Sequence, residues 1–292
     1  MRAQVNGTHL YFDIDGSGLR ASPTHLADKP TVFALHGGLG FDHAYLRDGI
    51  GPLRDDAQVI YVDMRGQGRS GRPELITCTL EQMADDIAAL CELLEIKRAF
   101  MLGHSAGGFV AMHVALRHPA LVQGLILCGS SPTVKPLPDD GEPAPTLASR
   151  GNPEALAVMA RLGSGDITQQ TMDDFARLVG PLHTAPSHPD VFKRVFGTTT
   201  TTLDMIRHFM HSIAPSYDLR AELHRIAAPT LAIVGRHDWV CPPRASRAIA
   251  RGIPGAQLVE FDDAGHFVFS EEREMFLEVV TGFLNKHASR TS

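Results

Sequence analysis

The sequence has little of what marks secreted, membrane-spanning or zinc-stabilised proteins. Its four cysteines form no C-x-x-C pair, which argues against a disulfide framework and a structural zinc site. The longest fairly apolar stretch without charged side chains, residues 99–116, contains two histidines and falls short of the ~20 apolar residues that a spanning helix needs. The first residues contain no apolar signal core. We therefore expect a cytoplasmic protein with reduced thiols and no membrane association.

The sequence also lacks a strong excess of positive or negative charge. The 292 residues carry a formal net charge of −6, so the composition does not favour nucleic acid or an anionic membrane as a partner. Apolar residues make up 43% and charged residues 21%, which is ordinary for a globular protein. We expect a small-molecule substrate as the partner, and the sequence leaves the oligomeric state open.

Short β-rich runs alternate with amphipathic segments along most of the chain. Unbroken apolar runs are typical of parallel strands that are covered on both faces. Helical periodicity predicts helices near 80–94, 109–118 and 271–286. This alternation predicts an α/β fold, with a mostly parallel sheet and helices on both faces. The predicted strands are 8–15, 31–36, 58–63, 99–103, 125–128, 230–234 and 257–261.

The alternation is interrupted in the middle of the chain. Length alone indicates about two domains, but the interrupted stretch begins rich in proline and aspartate and continues as helix. We expect residues 131–221 to form a helical cap inserted between two strands. Residues 1–130 and 222–292 would then form one α/β core. Helices are predicted within the insertion at 152–162, 171–178 and 202–213.

Residues 103–107, Gly-His-Ser-Ala-Gly, carry the strongest chemical signal. They match G-x-S-x-G in the strand-to-helix context that this motif requires. A sharp turn there holds the hydroxyl of Ser105 clear of the sheet, near a helix N-terminus with free N–H groups. We predict that Ser105 is a catalytic nucleophile, and the alternative is a glycine-rich turn with an incidental serine.

A serine nucleophile needs a base, and position in the chain selects one among 15 histidines. In this kind of fold the order is serine, acid, histidine. Asp238 and His266 each follow a predicted strand, as Ser105 does, and ligands bind at that edge of an open α/β sheet. We predict that His266 takes the Ser105 proton and that Asp238 fixes the tautomer of the imidazole.

Neighbouring groups compete for these two roles. Asp262 and Asp263 lie close to His266 in the sequence, but acids in such a loop more commonly make local hydrogen bonds. His237 competes weakly as the base, because its neighbour Asp238 cannot readily orient it from the adjacent position.

The segment at residues 36–40, His-Gly-Gly-Leu-Gly, directly follows a predicted strand. An acyl-transfer enzyme needs N–H donors that point at the developing oxyanion. We expect one donor from Ala106 and one from Gly38, with Leu39 as the second choice. A phosphate-binding loop is disfavoured, because the G-x-G-x-x-G spacing and a following Lys-Ser/Thr are both missing.

These motifs, together with Asp-Met-Arg-Gly-Gln-Gly-Arg-Ser at residues 63–70, resemble the α/β-hydrolase superfamily in kind and in order. Within it the chain is similar to the proline iminopeptidase-like branch. The peptidases of that branch carry Pro at the position of Leu39 and usually Gly-Gly-Ser-Trp-Gly around the nucleophile. His104 and Ala106 instead resemble many esterases and lactonases. The resemblance implies serine hydrolysis with no cofactor.

We therefore predict hydrolysis of a small, uncharged, partly apolar carboxylic ester or lactone through an acyl-enzyme on Ser105. The substrate is expected to be uncharged because eight basic and ten acidic side chains nearly balance between residues 133 and 220. A proline iminopeptidase-type aminopeptidase or an amidase is the alternative, and a small-molecule receptor or slow hydrolase with this fold stays open. Epoxide hydrolases and haloalkane dehalogenases are disfavoured, because they resemble this fold but place Asp at the Ser105 position.

Three further features have simpler readings. His208 and His211 lie three residues apart on a predicted helix, a spacing that suits a metal, but no third ligand accompanies them and we expect no metal. Trp239 either lines the substrate pocket or packs beneath its loop. Arg65 is expected in a buried ion pair rather than at the substrate.

Overall fold

A computed structural model describes residues 1–21 and 26–288, and within these ranges it contains ten strands. Two of them, Leu19–Ala21 (β3) and Leu26–Asp28 (β4), pair antiparallel in a separate small sheet. The others form the main sheet: Arg2–Val5 (β1), Thr8–Asp15 (β2), Thr31–Leu35 (β5), Gln58–Asp63 (β6), Ala99–His104 (β7), Val122–Cys128 (β8), Thr230–Gly235 (β9) and Gln257–Phe261 (β10).

Eleven α-helices occur in the same described ranges. They are Arg47–Ile50 (α1), Leu80–Leu93 (α2), Ala106–Arg117 (α3), Leu147–Arg150 (α4), Pro153–Gly163 (α5), Gln169–Asp174 (α6), Val191–Phe196 (α7), Leu203–His208 (α8), Pro243–Gly252 (α9), Val268–Glu271 (α10) and Arg273–His287 (α11). Short 3₁₀-helices lie at His43–Leu46, Gly51–Asp55, Leu75–Thr77, Gly180–His183, Ala214–Ser216 and Leu223–Arg225. No described helix combines the length and the apolar character needed to cross a bilayer.

The main sheet has the order β1-β2-β6-β5-β7-β8-β9-β10. The six strands from β6 to β10 in this order run parallel, and β1 and β2 extend the sheet antiparallel at one edge. The predicted α/β class with a mostly parallel sheet is confirmed. All seven predicted strands are present, with ends that differ by at most three residues.

Strand β5 shows why these runs are continuously apolar. Phe33 and Leu35 belong to the apolar cluster formed with α2 and α3, whereas Val32 and Ala34 belong to the cluster formed with α11 on the other face. Both faces are therefore buried, and no position on the strand calls for a polar residue. Helix α9 was not predicted, because Ile249 is the only large apolar residue that it buries.

Residues 131–221, which we call the inserted segment, lie between β8 and β9. The structure describes all of them, and they contain helices α4–α8 but no strand of the main sheet. The predicted helices at 171–178 and 202–213 are each split, because α6 and α8 continue as π-helical turns at Phe175–Val179 and Phe209–Ile213. An isolated bridge between Thr133 and Asp218 brings the two ends of the segment together.

Candidate active site

Ser105 lies at the turn between β7 and α3. Its backbone has a φ of 53° and a ψ of −124°, a left-handed conformation that strains a residue with a side chain. The N–H of Ser105 donates to the carbonyl of Cys128 (3.0 Å), and the Ser130 hydroxyl donates to the carbonyl of Ser105 (2.9 Å). Both bonds come from the neighbouring strand β8 and its end, so the sheet itself maintains the strained turn.

The two glycines of the motif allow this turn to pack closely. A Cβ atom at Gly107 would lie 2.1 Å from the carbonyl oxygen of Leu35, and one at Gly103 would lie 2.5 Å from the carbonyl oxygen of Gly107. These distances are far too short for any side chain. The motif therefore needs glycine at both positions because backbone approaches backbone there.

His266 and Asp238 form a buried pair. Nδ1 of His266 lies 2.7 Å from Oδ2 of Asp238, and the other oxygen, Oδ1, accepts the N–H groups of Val240 (2.8 Å) and Cys241 (2.9 Å). Burial raises the pKa of Asp238, a shift that the two backbone donors oppose. Burial also lowers the pKa of His266, so its imidazole is neutral and available to accept a proton.

The structure places the three predicted residues just after the carboxyl ends of β7, β9 and β10, at one edge of the sheet. Gly129 lies between them, because a Cβ there would be 3.2 Å from both Oδ2 of Asp238 and Nδ1 of His266. Within the described residues, no hydrogen bond joins the Ser105 hydroxyl to His266, and the thiol of Cys241 lies near the hydroxyl. Such a looser arrangement before substrate binds is common among catalytic groups.

The glycine-rich segment approaches Ser105 from β5. Gly38 has a φ of 68°, a conformation suited to glycine. The N–H of Gly37 donates to the Tyr45 hydroxyl (2.6 Å), and the N–H of Gly40 donates to Oε1 of Gln67 (2.5 Å). Among the described residues, the N–H groups of Gly38 and Ala106 have no hydrogen-bond acceptor. These are the two donors that the sequence predicted.

A cavity of about 470 Å³ opens at these groups, a size within the roughly 300–1,000 Å³ range of small-molecule sites. Its polar end is formed by Ser105, Gly38 and Ala106. Leu39, the second choice as an oxyanion donor, is fully buried and does not line it. The remaining wall is largely apolar and includes Phe109, Val134, Pro136, Leu137, Phe209, Val240 and Pro242.

A chain of hydrogen bonds joins the oxyanion segment to the His266 loop. Because the Tyr45 hydroxyl accepts from Gly37, its own proton points to Nδ1 of His104 (2.7 Å). Nε2 of His104 then donates to the carbonyl of His266 (2.8 Å). A neutral His104 with its proton on Nε2 satisfies every member of the chain, and burial lowers the pKa of His104.

The His266 loop also contacts the inserted segment. The N–H of His266 donates to the carbonyl of His183 (2.6 Å). The buried carboxylate of Glu271 accepts N–H groups from Gly265 (2.8 Å), Phe267 (2.9 Å) and Ala185 (2.6 Å). Because Ala185 belongs to the inserted segment, Glu271 joins that segment to the loop that carries the predicted base.

The two competing acids, Asp262 and Asp263, and the predicted pocket residue Trp239 do not line the cavity. Asp262 pairs with Arg236 (2.8 Å), and Asp263 accepts the hydroxyl of Ser187 (2.5 Å); both acids are exposed. Trp239 was predicted either to line the pocket or to pack, and the structure favours packing. Its indole N–H donates to the carbonyl of Leu182 (2.9 Å), and it is not among the residues that line the cavity.

The remaining sequence features are away from the cavity. Arg65 makes a buried two-point ion pair with Asp86 (2.6 and 2.7 Å), as expected. His208 donates to the carbonyl of Cys78 (3.2 Å). In residues 1–21 and 26–288, no group of three or more His, Cys, Asp or Glu side chains is arranged to hold a metal ion.

Sequence reasoning missed Tyr45, the role of His104, and Glu271. His104 lies inside the recognised motif, but its partners are 59 and 162 residues away in the chain. Glu271 follows His266 by five residues and reads as the first turn of a helix, where acids are common. No local pattern distinguishes these residues, because their roles depend on contacts between distant segments.

Comparison with known proteins gives the family. A sequence profile described as the α/β-hydrolase fold matches residues 30–273. The chain belongs to this family. It is 31% identical over 248 residues to a putative carbamate hydrolase, RutD, of Pseudomonas syringae, covering 82% of this chain and 88% of that protein. The family assignment confirms the predicted superfamily and the predicted hydrolase.

Other relatives of this α/β hydrolase have different names. It is 28% identical over 305 aligned positions to the proline iminopeptidase PfmaB of Pestalotiopsis fici, covering 97% of this chain and 98% of that protein. Among solved structures, the enol-lactonase of Burkholderia xenovorans superposes with a TM-score of 0.75 at 26% identity, covering 98% of this chain and all of that one. The relatives therefore agree on hydrolysis by this fold and differ in the bond that is cleaved.

Proposed function

We propose that this α/β hydrolase cleaves a small, partly apolar carboxylic ester or lactone through an acyl-enzyme on Ser105. The observation that carries the proposal is the pair of unoccupied N–H donors, Gly38 and Ala106, beside Ser105 in one cavity. Donors placed there stabilise the oxyanion of a tetrahedral intermediate, which forms in acyl transfer.

The residues divide the reaction as follows. Oγ of Ser105 attacks the carbonyl carbon while Nε2 of His266 takes its proton, and the oxyanion accepts hydrogen bonds from Gly38 and Ala106. The intermediate collapses, and His266 gives the proton to the departing alkoxide. A water molecule, deprotonated by His266, then attacks the acyl-enzyme and releases the acid. Asp238, hydrogen-bonded to Nδ1, stabilises the imidazolium in each step.

A neutral His266 favours this chemistry. Because burial lowers its pKa, the imidazole is a free base before substrate binds, and it gains its positive charge only as the proton is transferred. For the first attack, the Ser105 hydroxyl must donate a hydrogen bond to Nε2 of His266. A change of staggered rotamer about the Cα–Cβ bond of Ser105 allows this.

Aminopeptidase activity is the second candidate, because a proline iminopeptidase is among the relatives. A free amine requires a carboxylate partner. Among the described residues, no acidic side chain lines the cavity, whereas Lys135 and Arg244 do. The lining therefore supports an ester or lactone over a substrate with a charged amine. We also propose a reducing, cytoplasmic location, because all four cysteines are free.

The test compares Ser105→Ala with the wild type on 4-nitrophenyl butyrate, γ-butyrolactone and proline 4-nitroanilide. Loss of the nucleophile is expected to lower kcat for the preferred ester by at least about 10⁴-fold. Ser187→Ala, which removes an exposed hydroxyl, is the control. Unchanged hydrolysis by Ser105→Ala contradicts the proposal. A higher kcat/KM for the proline compound favours the aminopeptidase, and tight binding without turnover favours a receptor.

A further inference from the structure

Arg244, at the start of α9, is a cation without a counterion in the cavity wall. Its side chain is half-buried and lines the cavity that contains Ser105. Its Nε atom is buried and has no hydrogen-bond partner. Within the described residues, the Arg244 guanidinium makes no ion pair.

Two neighbouring cations are already paired. Arg247, one turn further along α9, binds Glu260 (2.6 Å) and Asp140 (3.2 Å). Lys135, the other cation of the cavity wall, lies 3.5 Å from Asp218. Arg244 also lines a surface groove that includes Asp139 and Asp140. Within the described residues it makes an ion pair with neither, so it is the cation of the cavity wall that has no ion-pair partner there.

The rest of the cavity strengthens the effect of this charge. Its wall is largely apolar and contains no acidic side chain among the described residues. Coulomb attraction grows as the effective dielectric constant falls, so an anion that displaces water here interacts strongly with the guanidinium. A guanidinium also matches the two oxygens of a carboxylate in a planar, two-point hydrogen bond.

We propose that the substrate carries a carboxylate, which binds Arg244 while the reacting carbonyl lies at Ser105. This inference rests on the proposed function and names its substrate class: an ester or lactone whose acyl part ends in a carboxylate. One free guanidinium compensates one negative charge, which favours a carboxylate over a phosphate dianion. The proposal revises the predicted uncharged substrate, because that prediction averaged charge over residues 133–220 and Arg244 lies outside them.

The test uses two esters with the same leaving group and the same number of acyl carbons. These are mono-4-nitrophenyl adipate, which ends in a carboxylate, and 4-nitrophenyl hexanoate, which ends in a methyl group. The measured quantity is the ratio of their kcat/KM values. We expect the wild type to prefer the adipate ester, with a preference that weakens at high salt.

Three variants test whether the preference for the adipate ester comes from Arg244. Arg244→Gln is expected to lower the ratio by about tenfold or more, the loss of one charge-assisted contact, and Arg244→Lys to retain part of it. Arg251→Gln, which removes an exposed arginine of the same helix, is the control and should leave the ratio within about twofold. An unchanged ratio in Arg244→Gln overturns the proposal, as does a ratio that depends on Lys135 instead.

A binding measurement separates this proposal from the proposed function. In Ser105→Ala, calorimetry should show that the adipate ester binds about tenfold more tightly than the hexanoate ester, and Arg244→Gln in that background should remove the difference. If the wild type hydrolyses neither ester but this difference is found, the hydrolase proposal fails and the Arg244 proposal stands. If both esters are hydrolysed and bound equally, the Arg244 proposal fails alone.

Discussion

The loops that carry Ser105 and His266 meet in one site but are maintained by different parts of the chain. The turn at Ser105 is fixed by the sheet, through Cys128, Ser130 and the close approach of Leu35. The loop at His266 is fixed across the molecule, because its N–H binds the carbonyl of His183 in the inserted segment.

The nucleophile and the base are therefore held in position by different parts of the fold. The nucleophile turn is held by contacts from β5 and from β8 and its end. The loop of His266 is held in addition by the inserted segment, through Glu271, and Arg150 of that segment contacts the loop that carries Asp238. Arg150 donates to the carbonyls of His237 (2.9 Å) and Thr184 (2.5 Å). The inserted segment therefore supplies contacts that help to position the loop of the predicted base.

The largest effect is expected from removing the acid that is hydrogen-bonded to His266. In Asp238→Asn, the amide can donate to Nδ1 and so favours the wrong tautomer of His266, which should lower kcat by about 10⁴-fold. Steady-state kinetics on the preferred ester measures this. Asp262→Asn, at an exposed acid in the same loop as His266, is the control and should change kcat less than twofold. A loss below tenfold in Asp238→Asn argues against Asp238 as the partner.

The next largest effect is expected from removing Glu271, which joins the loop of His266, but not the turn of Ser105, to the inserted segment. Glu271→Ala leaves three buried N–H groups without an acceptor, each at a cost of about 1–3 kcal/mol. We expect the free energy of unfolding to fall by about 3 kcal/mol or more and kcat to fall with it. Glu271→Gln, which keeps one acceptor oxygen, should lose less.

Denaturant unfolding and kinetics on the same samples test this expectation. Glu274→Ala, at an exposed acid in the first turn of α11, provides the control for removing a carboxylate near a helix start. If Glu271→Ala and Glu274→Ala have the same effect, the loop of His266 does not depend on its contact with the inserted segment.

A smaller effect is expected from cutting the link between the loops. Tyr45→Phe removes the acceptor of the Gly37 N–H and the donor to His104, so kcat should fall by about tenfold while KM changes little. Tyr61→Phe is the matched control, because the buried Tyr61 hydroxyl has no hydrogen-bond partner in the part of the chain that the structure describes. Equal activities of the two variants would show that the hydrogen-bonded chain does not align the oxyanion donors with His266.

The smallest effect is expected from changing the pH, which tests the protonation state of His266. Because burial lowers the pKa of His266 below its ordinary 6.5, the neutral base persists as the pH falls. We expect kcat/KM to change less than about twofold between pH 8 and 5.5, whereas a base with an ordinary pKa would lose about tenfold. A decline centred between pH 7 and 8 would contradict this and indicate that protonation of Asp238, whose pKa burial raises, limits the reaction.

The Ser105 turn could be predicted from the sequence because its requirements are local. A strand, two glycines and the start of a helix lie within about twenty residues. The roles of Asp238 and His266 could be predicted from their order along the chain, since each follows a strand of the parallel sheet. Trp239 could not be assigned in this way, because its two alternatives differ only in which distant surface it meets.

The sequence by itself determined the α/β architecture, the family and the positions of Ser105, Asp238 and His266 at one edge of the sheet. These follow from hydrophobic periodicity and from short motifs, which act over a few residues. Only the tertiary structure decided that Glu271 holds the loop of His266 and that Arg244 makes no ion pair with any described residue. Both outcomes depend on which groups meet in space: Arg247 meets Glu260, and Arg244 on the same helix meets no carboxylate within the described residues.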